Sequence, residues 1–155
     1  MDIDHTSLQF VLGLLAAIFC VVLLAAWAIS QKDRFLATGA LGLVTLVAAL
    51  PVFIAYIEGD RPYLALPAFS LMLAGLAMLE GASMEFASGK SPLRRIVYMS
   101  LSAVGLIAPF FLIGIDGAGI ALFNLLACAI LISAGLHYRA CRAEAPKLIL
   151  VLISL

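Results

Sequence analysis

Gly89-Lys90-Ser91-Pro92-Leu93-Arg94-Arg95 lies between two long apolar runs and carries three of the chain's nine basic residues. Its residue types end one helix and begin another: a glycine, then a Ser-Pro step in which proline disfavours helix at the residue before it, then adjacent arginines. A short basic connection in that setting marks the cytoplasmic side of a membrane protein. Once that side is set, every other connection must alternate across the bilayer.

The composition supports the membrane reading. Apolar residues make up 65% of the 155 and charged residues 12%, with a mean hydropathy of +1.20. Soluble domains carry about 25% charged residues, and a domain this small cannot hide so much apolar surface. The solvent for most of it must be lipid. Net charge is zero, so any information lies in how the charges are distributed.

Working outward from the basic turn, Leu64–Phe86 precedes it and Ile96–Ile115 follows it. Before these come Leu8–Ile29 and Phe35–Ile57, and after them Gly119–Tyr138. At about 1.5 Å per residue each run crosses a hydrocarbon core of roughly 30 Å. Leu8–Ile29 is too long for a signal peptide and lacks the positive segment that would precede one, so it reads as a retained first span. A further run, Leu148–Leu155, reaches only about 12 Å as a helix. The expected fold is an all-α, polytopic membrane helix bundle of five complete spans plus the start of a sixth. Residues 1–155 form one transmembrane module, read as a fragment truncated within span six.

Alternation places Lys32, Arg34, Lys90, Arg94, Arg95, Arg139, Arg142 and Lys147 on one side and Arg61 alone on the other. The positive-inside bias therefore predicts an N-terminus outside, with Lys90, Arg94 and Arg95 as the topology-setting residues. The end of a sixth span then also falls outside, and a cytoplasmic output domain requires a seventh.

Few residues carry chemistry. There is no phosphate-binding glycine loop, zinc-protease motif or triad-like set, so no catalytic, cofactor-binding or metal site is assigned. Cys20, Cys128 and Cys141 are too scattered for metal binding and read as small buried hydrophobes. Basic residues dispersed over short loops do not make a nucleic-acid face. His5, beside Asp2 and Asp4, reads as a solvated tail, with metal binding as the sharper alternative. His137 reads as an interfacial anchor, with pH sensing as its alternative.

Four positions within the spans stand out. Glu80 lies about 9 Å from the cytoplasmic end of its span by helical rise, where a carboxylate is costly unless paired, protonated or wetted. It is either a bundle-facing or snorkelling group satisfied by a loop cation, or a protonatable switch or ligand contact. Ala77 and Gly81 beside it allow a neighbouring helix to approach closely. Pro51, Pro109 and Asn124 fall near one depth in the outer leaflet. Each proline leaves one carbonyl, Val47 or Gly105, without its usual donor. Asn124 is expected to supply that donor. The three form either a packing and kink layer or an outward-facing ligand pocket.

The chain resembles the N-terminal membrane module of alphaproteobacterial GGDEF proteins, the diguanylate cyclases. The resemblance rests on the acidic start, the Gly75–Gly81 region, Ser91-Pro92-Leu93-Arg94-Arg95, Pro109, Asp116-Gly117-Ala118-Gly119, Asn124 and Arg142-Ala143-Glu144-Ala145-Pro146. It implies a sensor of seven spans in the bacterial inner membrane, followed by a cytoplasmic GGDEF domain. Such domains join two GTP molecules into cyclic di-GMP with Mg²⁺ and work as homodimers. The GGDEF signature is not in this chain, so no catalytic residue carries over. A fragment of a small transporter and the membrane anchor of another signalling protein, such as a histidine kinase, are the alternatives.

Overall fold

The computed structural model describes residues 5–29, 34–59 and 61–141. These form five helices: α1 (His5–Ile29), α2 (Arg34–Glu58), α3 (Ala65–Ser88), α4 (Leu93–Ile113) and α5 (Asp116–Cys141). A single 3-10 turn, Pro62–Leu64, leads into α3. No strand occurs among the described residues. Four helical segments are long and apolar enough to cross a membrane: Arg34–Glu58, Pro62–Ser88, Leu93–Ile113 and Asp116–Arg139. Within α1 the apolar stretch Ala17–Ile29 is shorter. The expected sixth run lies outside the described residues, as do Lys32, Arg142 and Lys147.

Helix α3 is the hub. It packs against α2, α4 and α5, while α1 packs against α2 and α4 against α5. Its small residues permit this. Cβ atoms placed on Gly42 of α2 and Gly75 of α3 would lie 3.0 and 2.9 Å from each other's carbonyl oxygens, so the two backbones meet at the glycines. On another face, a Cβ on Gly81 would come within 2.5 Å of Ile96, and Ala77 is fully buried. The Ala77/Gly81 pair is thus part of the seam with α4.

At the end away from the basic turn, Phe69 anchors an aromatic cluster. It stacks on Phe111 at 5.1 Å and meets Phe123 at 4.8 Å and Phe53 at 5.7 Å between centroids. Leu73, Ala103, Ile107 and Ile130 continue this core toward the middle of the bundle. The outer surface is the reverse of a soluble protein's: Val21, Leu101, Leu112, Ile113 and Leu125 are all at least 66% exposed. An apolar belt of that extent suits a lipid surround.

Two boundaries differ from the sequence reading. Arg94 and Arg95 belong to the first turn of α4 and not to a loop, because the break needs only Gly89 to Pro92. Gly89 adopts φ 66° and donates from its N–H to the Glu85 carbonyl, closing α3. Pro92 then caps α4, its carbonyl accepting from Ile96 at 2.9 Å. The second turn lies at Gly114-Ile115, ahead of the expected Asp116–Gly119. Gly114 takes φ 82°, and Ile115 donates to the Phe110 carbonyl at 2.8 Å, a Schellman-type close. Asp116 can then open α5, where a carboxylate favours the positive end of the helix dipole.

Candidate functional site

Glu80 is fully buried, with no exposed surface. It sits where α3, α4 and α5 converge, near the end of the bundle that carries Arg34, Lys90, Arg94, Arg95 and Arg139. One oxygen, Oε1, takes every partner. Arg95 of α4 places Nη2 2.7 Å away, Ser133 of α5 donates its hydroxyl at 2.9 Å, and Nε2 of His137 lies at 3.1 Å. Ser133 works in both directions, since its oxygen also accepts from Arg95 Nη2 at 3.2 Å.

Local structure explains the convergence. Ser133 and His137 are four residues apart on α5 and so share a face. Arg95 reaches inward because it is already helical, in the first turn of α4. A cation there opposes the helix dipole, and its contact with Glu80 offsets that cost. Gly81 lets Ile96 seat tightly beside the carboxylate. Behind it, the buried Ser83 hydroxyl donates to the Glu80 carbonyl at 2.6 Å.

The other carboxylate oxygen, Oε2, is buried without a hydrogen-bond partner among the described residues. The two oxygens are therefore unlike: one has three polar partners and the other has none among the described residues. Chemically the site pairs a buried carboxylate with Arg95 and ties three helices to one atom. His137 adds a second ionisable group in direct contact.

The remaining candidates do not come together. Asn124, Pro51 and Pro109 are all exposed on the bundle surface. Among the described residues, Asn124 makes no hydrogen bond to the carbonyl of Val47 or Gly105. The expected layer and its outward pocket do not form, because equal depth along separate helices does not set rotation about their axes. Lys90 and Arg94 are exposed at the basic turn. Cys20 is buried, with Sγ 3.7 Å from the Ala40 carbonyl, whereas Cys128 is exposed. The acidic start lies outside the described residues.

Two further polar contacts have no counterpart in the sequence reading. Thr38 of α2 lies 3.1 Å from Oε2 of Glu85 on α3, and Tyr56 of α2 lies 3.5 Å from Oδ2 of Asp116 on α5. For the main site the sequence offers only a spacing: Ser133 and His137 lie four residues apart in the apolar part of α5 between Asn124 and Tyr138, and nothing in it names Glu80 as their partner.

Comparison with protein families, with curated proteins and with solved structures finds nothing that matches this chain.

Proposed function

We propose that the chain is a membrane-embedded sensory or anchoring module that regulates a cytoplasmic GGDEF diguanylate cyclase domain carried elsewhere in a longer parent protein. In this reading α1 to α5 are five complete crossings of a bacterial inner membrane and residues 148–155 begin a sixth. The basic end faces the cytoplasm and the N-terminus lies outside. GTP and Mg²⁺ belong to the catalytic domain, and the parent works as a homodimer.

The observation that carries this reading is the Glu80 joint. A buried carboxylate with three polar partners on one oxygen links α3, α4 and α5 at the basic end. Its third partner, His137, sits on the last turns of α5, from which the chain continues toward any output. A change in this pairing alters how α5 is held. The transporter alternative gains no support, because α2 and α4 run through Pro51 and Pro109 as continuous helices.

The test is cyclic di-GMP formation by the full-length parent in membranes supplied with GTP and Mg²⁺. Synthesis by the parent but not by residues 1–155 alone, with output altered by Glu80→Gln, is the expected result. A parent gene that encodes no GGDEF domain, or synthesis by residues 1–155 alone, overturns the reading.

A further inference from the structure

Beside the basic turn a slot opens on the flank of the bundle between α2, α3 and α4, with a volume of about 360 Å³. That size falls within the roughly 300–1,000 Å³ typical of small-molecule sites. The mouth lies at the level of the basic turn, between Arg34 at the start of α2 and Ser91. The floor runs inward past Leu41 and Met78, each seven residues along its helix from the mouth and therefore about 10 Å deeper. The slot is a headgroup-depth opening with an apolar extension toward the bilayer centre.

The charges at the mouth are of opposite sign. Arg34 is exposed and Glu85 is partly buried, and both line the slot. They make no salt bridge with each other or with another described residue. Thr38 lies 3.1 Å from Glu85 Oε2 and 3.2 Å from the Arg34 carbonyl, so its hydroxyl holds the carboxylate against the α2 wall. An exposed cation and a partly buried carboxylate thus line the same slot, above an apolar channel that also includes Ile96.

We propose that this slot binds phosphatidylethanolamine from the surrounding bilayer. The phosphate meets the Arg34 guanidinium, the primary ammonium donates to the Glu85 carboxylate, and one acyl chain lies along Leu41, Met78 and Ile96. Charge complementarity selects this occupant. A headgroup with phosphate alone leaves Glu85 facing a like charge, and a quaternary ammonium has no N–H to give the carboxylate. Position selects it as well. Leu93 beside the mouth and Leu41 along the floor are 67% and 55% exposed, so the slot is open to the membrane along its flank. The inference rests on membrane insertion and does not depend on the output proposed above.

The test is native mass spectrometry of the full chain released from detergent after exchange with equimolar phosphatidylethanolamine, phosphatidylglycerol and phosphatidylcholine of identical acyl chains. Phosphatidylethanolamine should be retained about tenfold over each competitor, equivalent to about 1.4 kcal/mol. Glu85→Gln should abolish that preference, and Arg34→Gln should lower retention of both phosphatidylethanolamine and phosphatidylglycerol. Leu41→Trp should fill the slot and reduce retention about tenfold, while Leu101→Trp, exposed on α4 and outside the slot, should leave it unchanged. Equal retention of the three lipids, a preference for phosphatidylglycerol, or a preference that survives Glu85→Gln overturns the proposal. The Glu85 result stands even if Leu41→Trp fails to fold.

Discussion

At Glu80 the two members of the ion pair are not equivalent. Arg95 keeps 43% of its side chain exposed and Glu80 none, so Arg95 can fall back on water and headgroups while the carboxylate cannot. Arg95→Gln strands a buried charge, a loss of about 1–3 kcal/mol given that Ser133 and His137 remain. Glu80→Gln removes the charge and keeps an acceptor for those donors, so it should cost less, and the double variant should recover part of the Arg95→Gln loss. Thermal unfolding in detergent of the two single variants and the double checks the ranking. Asn124 predicts the opposite sign: it is exposed to the apolar surround, so Asn124→Leu should be neutral or stabilising, within about 1 kcal/mol in the same assay. The need of Glu80 for partners is legible in the sequence, because a carboxylate within an apolar run has few tolerable surroundings. The identity of those partners is not. They come from two other helices, whose rotation about their own axes leaves no mark on the spacing of apolar residues when every face of a helix is apolar.

Among the elements, the α2–α3 contact is the least forgiving. A Cβ on Gly42 meets the Gly75 carbonyl oxygen at 3.0 Å, and one on Gly75 meets the Gly42 carbonyl oxygen at 2.9 Å and Leu46 at 2.7 Å; backbone cannot step aside as a side-chain tip can. Gly42→Val and Gly75→Val should each lower stability by about 1–3 kcal/mol or more through overpacking. At Gly105 a Cβ would have open space, with nothing within 4 Å. It should respond in the other direction, Gly105→Ala gaining about 0.4–1 kcal/mol. Opposite shifts in melting temperature across this set are the expected outcome. Helix positions are readable to within a few residues because apolar length and glycine or proline breaks carry them. The start of α4 is the exception, since adjacent charges read as loop. Arg95 shows that a charged residue can begin a membrane helix when a buried carboxylate waits one helix away. The Gly42–Gly75 contact leaves no distinguishing sign, since glycines also occur at Gly105 and Gly135, where a Cβ would meet nothing within 4 Å.

For the whole molecule, all described basic residues except Arg61 gather at one end of the bundle, and the proposed orientation puts that end in the cytoplasm. Lys90→Cys should therefore resist an impermeant thiol reagent in intact cells and react once the membrane is opened, with Cys20, Cys128 and Cys141 replaced to remove background; labelling in intact cells reverses the topology. The position of Glu80 also bears on how the chain is made. Synthesis runs from α1 to α5, so α3 emerges from the ribosome before Arg95, Ser133 and His137 can reach it. At that moment its carboxylate has no cation to meet, and an unpaired charge is expensive in hydrocarbon. The contact of α3 with α2 can form as soon as both are made, whereas the Glu80 joint has to wait for α4 and α5. The joint that ties three helices in the finished bundle is thus among the last contacts of α3 to close.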